Sequence, residues 1–159
     1  MAMVYSQIKR KVEDAFAVVI DANADTYNAS TTVAKGMSNT ALPTPRIEIV
    51  CERATPEIVG DSVLGNWTCE VRISLVGHYS DKTRAERVLM EDELFDCIMR
   101  TDIRDLLNAA QVDDFWVYGN GEGVGLSVEP GPIETGIVGS GEIAESIMVT
   151  VYCRPSLAA

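Results

Sequence analysis

A single histidine, His78, stands in 159 residues, and the four cysteines, Cys51, Cys69, Cys97 and Cys153, form no CxxC pair. A structural zinc site needs four such ligands in clustered spacing, so none is expected. Basic residues are also scarce: 13 Lys and Arg against 24 Asp and Glu, a net charge of −11. A surface of that sign repels the nucleic-acid backbone unless its cations cluster, which argues against a DNA-reading role. No apolar run approaches the ~20 residues that cross a bilayer. Lys9, Arg10 and Lys11 interrupt the N-terminal segment, unlike the unbroken apolar region of a signal peptide. Synthesis in a reducing cytosol is therefore expected, with the cysteines as buried thiols. The sequons at Asn28 and Asn66 then have no reader.

What the chain does have is globular texture, with 47% hydrophobic and 23% charged residues. Its length suits one domain over 1–159. Val4, Ile8, Val12, Ala15, Phe16, Val19 and Ile20 recur at helical spacing, predicting an amphipathic helix from about Ala2 to Ala22. Asp25–Pro43 is small and polar without a period, so a long loop is predicted over 25–44. Ile47, Ile49 and Cys51 alternate with Arg46, Glu48 and Glu52, a strand opened by Pro45. Ala54–Gly65 reads as the connection to the most informative stretch. There Trp67, Cys69, Val71, Ile73 and Leu75 alternate with polar residues in a long strand.

That strand stops at His78-Tyr79-Ser80-Asp81, where Ser80 or Asp81 can cap a helix carrying Ala85, Val88, Leu89, Leu94, Phe95 and Ile98. Val71, Ile73 and Leu75, with Trp67 on the same face, are expected to pack on this helix through Val88, Leu89 and Phe95. Thr101-Asp102 caps a second, short helix through Ile103, Leu106, Leu107 and Ala110. Phe115–Tyr118 is β-rich, Val124, Leu126 and Val128 alternate up to Pro130-Gly131-Pro132, and a last strand runs from about Gly141 to Arg154. The order α-β-β-α-α-β-β-β groups the helices, which predicts an α+β fold with a mainly antiparallel sheet.

Chemistry-bearing constellations are weak. Gly119, Gly121, Gly123 and Gly125 lie between strand patterns, without the helix N-terminus and lysine a phosphate loop uses, so a hairpin is expected. His78 with Ser80 and Asp81 lacks the convergence from separate segments that a catalytic triad requires. Strand end and helix cap account for those residues. Glu86, Glu91, Asp92, Glu93 and Asp96 could hold a cation in principle, but helical spacing makes them a solvated face. No catalytic, cofactor-binding or metal-binding residue is therefore assigned, and no enzymatic activity is expected.

The succession of an N-terminal helix, PRIEIV, VRISLVGHYSD, RAERVLMEDELFDCIMR, DLLNAA, an aromatic strand and ESIMVTVYCRP resembles the tail terminator or tail-completion proteins of long-tailed bacteriophages. The likeness is one of element order over roughly residues 3–154; the long loop and glycine-rich hairpins depart from it. It implies a structural virion protein without cofactor or membrane contact, assembled in the host cytoplasm. Such proteins form a ring, usually a hexamer, that caps the tail tube, stops its polymerisation and meets the head-completion or neck connector. DNA would pass its lumen without specific binding. Tyr27, Lys35 and Asn39 in the long loop, and Asn120 and Glu122 in the glycine-rich hairpin, are the candidate assembly contacts. A neck connector of the same virion region and a small ligand-binding module remain the alternatives.

Overall fold

A computed structural model describes residues 8–23, 32–36, 45–56, 67–78, 84–110, 115–117, 128–137 and 141–155. Helix α1 (Ile8–Asn23) buries Ile8, Val12, Ala15, Phe16, Val19 and Ile20, each at most 3% exposed. This is the predicted stripe at i, i+4, i+7 and i+8. Residues 1–7, where the sequence placed the helix start, lie outside the described residues.

The sheet is the framework. Strands β2 (Arg46–Pro56), β3 (Trp67–His78) and β6 (Glu142–Pro155) pair antiparallel in that order. The far edge of β6 carries β5 (Val128–Ile137) along 143–151 and β4 (Phe115–Val117) along 153–155. Strand β1 (Thr32–Lys35) pairs parallel with Arg46–Ile49 at the opposite edge. With α2 (Arg84–Ile98) and α3 (Ile103–Ala110), the protein is α+β with a mainly antiparallel sheet.

Register explains the core. Ile49, Ile73 and Ile147 lie in one row across β2, β3 and β6, and Cys51, Val71 and Val149 in the next. All six are at most 1% exposed, and burying a side chain of this kind is worth ~1.5–3 kcal/mol. Leu75 and Phe95 are buried, as expected, and Trp67 packs half-buried against the same cluster. Helix α1 lies against β1 and β2 and touches β3, α2 and α3, while α2 packs on β3 and α3 on β4.

Three expectations need correction. Val88 and Leu89 do not face the core; they are 41% and 68% exposed. The inward stripe of α2 is Met90, Leu94, Cys97 and Ile98, again at i, i+4, i+7 and i+8. One or two residues before Met90 means a turn of roughly 100° or 200° about the axis, which points Leu89 and Val88 outward.

Second, the 25–44 segment is not wholly loop, because Thr32–Lys35 forms β1. Four residues are too few to show a period, and the parallel edge of β2 holds them in place. Third, Pro130-Gly131-Pro132 does not end the penultimate strand. Strand β5 runs through it, with a bulge between Pro130 and Ile133. An edge strand can take prolines because its outer N–H groups have no ladder to serve. Gly131 fits because a Cβ there would stand 2.7 Å from the Met148 carbonyl oxygen.

The opposite sheet face is also covered in part, since Val76, Ser74, Arg46, Ala144 and Val50 on it are buried. The polar members among them are paired. Ser74 and Ser146, directly opposite in register, share a hydroxyl hydrogen bond of 2.7 Å.

Candidate functional site

A site for chemistry would leave polar side chains inside the fold converging on open space. Glu13 sits on the buried side of α1 beside Val12 and Phe16. Its Oε2 accepts the Cys51 backbone N–H at 2.8 Å. That donor lies two residues beyond Ile49, the last partner of β1, whose carbonyl accepts the Gly36 N–H at 2.9 Å. The carboxylate thus continues the work of β1 along the edge of β2. Burial pushes the Glu13 carboxyl above the usual carboxylate range, against the opposing hydrogen bond from Cys51.

On the other face, Arg46 is held by Glu48 (Nε–Oε2 2.6 Å) and by Glu142 (Nη1–Oε1 3.0 Å). Arg46 stands on β2 and Glu142 on β6, so the side chain crosses β3 at the level of Val76 and His78. Burial opposes the guanidinium charge most strongly, but the two carboxylates outweigh it and keep the group protonated. His78 and Glu142 are register partners at the same end of the sheet. One imidazole, one guanidinium and two carboxylates therefore share a face, yet Arg46 engages both carboxylates. Flanking ion pairs Arg72–Glu52 (2.6 Å) and Arg53–Glu70 (3.4 Å) extend this cross-strand ladder.

The four cysteines are free and buried. Cys69 and Cys153 bring their sulfurs to 3.7 Å. Hydrogen bonding to Cys69, with burial, pushes the Cys51 thiol far up, and the contact with Cys153 does the same for Cys69. Thiols held protonated are poor nucleophiles and poor metal ligands. Among the described residues no group of three or more His, Cys, Asp or Glu is arranged to hold a metal ion.

An unshielded surface lies at the β5 end of the sheet. After Val128 every residue of β5 is exposed, with Ile133 at 48% and Ile137 at 79%. Both belong to the face that α1 and α2 cover elsewhere, as their register partners Ile147 and Ile143 show. None of the described helices packs on β5, so this edge strand, paired with β6 inside the main sheet, carries apolar side chains in water. Two isoleucines exposed on one edge strand make this edge a candidate for contact with another chain.

Of the candidate assembly residues, Lys35 is on β1, not in a loop, and its Nζ bonds Asp14 Oδ1 at 2.8 Å. Tyr27, Asn39, Asn120 and Glu122 lie outside the described residues, as do the caps proposed at Ser80 and Asp81. Sequence reading missed Glu13, Arg46, Ile133 and Ile137. Glu13 could have been found as the one acid within the apolar stripe of α1. The alternation in Ile133-Glu134-Thr135-Gly136-Ile137 was legible too, but the prolines before it hid the strand. No described helix is long and apolar enough to cross a membrane. No protein-family model matches the chain, and no curated protein matches it.

Proposed function

We propose that this chain is a structural subunit of a long-tailed bacteriophage virion, of the tail terminator or completion type. Copies close into a ring of about six on the end of the tail tube, stop its growth and offer a surface to the head connector. The observation that carries this reading is the β5 edge of the sheet, an edge strand with Ile133 and Ile137 in water. An isolated globular subunit gains nothing from such exposure, whereas an assembling one buries it against a neighbour. The engagement of Glu13, Arg46, Glu48 and Glu142 in fold-holding bonds supports the same reading, because those groups are not free for acid–base work. The element order is the one expected from the sequence, with β1 added.

Electron microscopy of tails assembled with and without the protein tests the proposal. Without it, tubes overgrow or fail to join heads. Normal-length tails attached to heads in its absence would refute the assignment.

A further inference from the structure

The β5–β6 surface has a chemistry that selects its partner. Register places Ile133, Thr135 and Ile137 opposite Ile147, Glu145 and Ile143. Glu145 therefore sits inside a frame of isoleucines, and Thr135 Oγ1 donates to its Oε1 at 2.5 Å. That hydrogen bond fixes the carboxylate, yet no cation of its own chain pairs with it among the described residues. The sequence contains no Lys or Arg between Arg104 and Arg154. A fixed acid within apolar surroundings suits a long cationic side chain, whose methylene stem lies on the isoleucines while its head meets the carboxylate.

The complementary piece is present elsewhere in the chain. Lys35, Arg46, Arg53, Arg72, Arg100 and Arg104 each pair with a carboxylate. Lys9 and Arg10, in the first described turn of α1, are exposed, and while the charge of Lys9 acts on Glu13, Arg10 forms no ion pair among the described residues. Arg10 shares an outward stripe with Asp14 and Val18, and Val18 is 49% exposed. Eight helical residues separate Arg10 from Val18 by ~12 Å. Four strand residues separate Ile133 from Ile137 by ~13 Å, so the two surfaces match in length. Within one molecule they belong to different parts of the sheet. Helix α1 packs on β1 and β2, whereas β5 lies beyond β3 and β6, some 19 Å from β1 at ~4.8 Å per strand.

We propose that the Glu145 patch of the β5–β6 edge binds Arg10 and Val18 of α1 in a second copy of this chain. The two surfaces differ, so the contact is head to tail and repeats from copy to copy until rotation closes it. This rests on the ring reading and names its interface. The apolar area that Ile133 and Ile137 offer is small beside the ~800 Å² per partner of a standard stable interface. One contact alone is therefore weak, and a ring gains by closing several at once.

Charge exchange and directed crosslinking test it together. Sedimentation velocity over a range of concentrations compares wild type with Arg10→Glu, Glu145→Arg and the double variant; Ile137→Asp, at a site 79% exposed, keeps the test open should Glu145→Arg misfold. Each single change weakens self-association about tenfold or more, and the double exchange restores most of the loss. In parallel, one protein carrying Ile137→Cys is mixed with another carrying Val18→Cys and oxidised with copper phenanthroline. Crosslinks form between the two proteins and not within either alone. Charge variants that associate like wild type, or Ile137→Cys crosslinking to itself, overturn the interface while leaving the ring reading in place. A wild type that stays monomeric at every concentration and on tail tubes overturns both.

Discussion

Glu13 offers the most direct probe of how the sheet edge is held. Removing its carboxylate in Glu13→Ala leaves the Cys51 N–H without its 2.8 Å acceptor, at a site only 7% exposed. A buried donor left unsatisfied costs about 1–3 kcal/mol. Glu13→Gln keeps an oxygen acceptor of the same reach but cannot ionise. Burial raises the folded-state pKa above the ordinary 4.5, so folding favours the protonated acid. The stability contributed by this preference is complete below 4.5 and is lost as pH rises through the folded value. Relative to wild type, Glu13→Gln therefore gains stability between pH 4 and pH 8, while Glu13→Ala stays below Glu13→Gln by about 1–3 kcal/mol at both pH values. Urea unfolding of the three proteins at the two pH values measures this, since the other titrating groups cancel in the differences. Equal stability of the Ala and Gln variants would show that the carboxylate does not hold the edge. A Gln-minus-wild-type difference that ignores pH would refute the burial argument.

Two leucines on α2 check its register: Leu94→Ala, at a fully buried site, costs about 2–5 kcal/mol. Leu89→Ala, at a site 68% exposed, changes stability by less than about 0.5 kcal/mol, and equal denaturant midpoints for the two would contradict the helix orientation. Gly141 has φ +83° and a Cβ there would stand 2.6 Å from His78 Nε2, so Gly141→Ala destabilises by about 1–3 kcal/mol. Gly136→Ala, with nothing within 4 Å, is neutral or slightly stabilising in thermal unfolding; similar losses at both glycines would argue against the turn geometry.

The legible parts of the fold were those with long periods. Trp67–His78 spans twelve residues and Glu142–Pro155 fourteen, enough for alternation to outweigh single exceptions. Helix α1 showed three turns of one stripe. What failed was short or locally ambiguous. Strand β1, with four residues, has no measurable period and exists because β2 offers an edge. In α2 the segment Val88-Leu89-Met90 is apolar all round, so spacing alone could not say which residue faces in; packing against β3 chose Met90. Strand β5 was concealed by two prolines that matter only if the outer N–H groups must pair. For the candidate site, resemblance directed attention to loops, whereas the exposed apolar residues of the sheet lie on β5. Exposure is set by where the helices end, and no single segment encodes that.

The two edges of the sheet are treated in opposite ways, and this bears on how copies can meet. At the β1 edge, a short strand and the Glu13 carboxylate occupy the outer groups of β2 as far as Cys51, and the Lys35–Asp14 pair ties β1 to α1. At the β5 edge, Pro130 and Pro132 remove two N–H donors and a bulge twists the strand, which discourages strand addition over that half. Among the described residues of this edge, Ile133–Ile137 remains open and carries two exposed isoleucines. Edge-to-edge growth needs two receptive edges, and here one is blocked along Arg46–Cys51 by a four-residue strand and Glu13, and the other is receptive over a single short stretch. Side-chain docking of that stretch onto a helix surface is then favoured over continuous sheet extension. A docking contact has a defined rotation and can close, whereas sheet extension propagates into fibres. The blocking of one edge therefore supports assembly into finite objects as much as the exposed isoleucines of the other do.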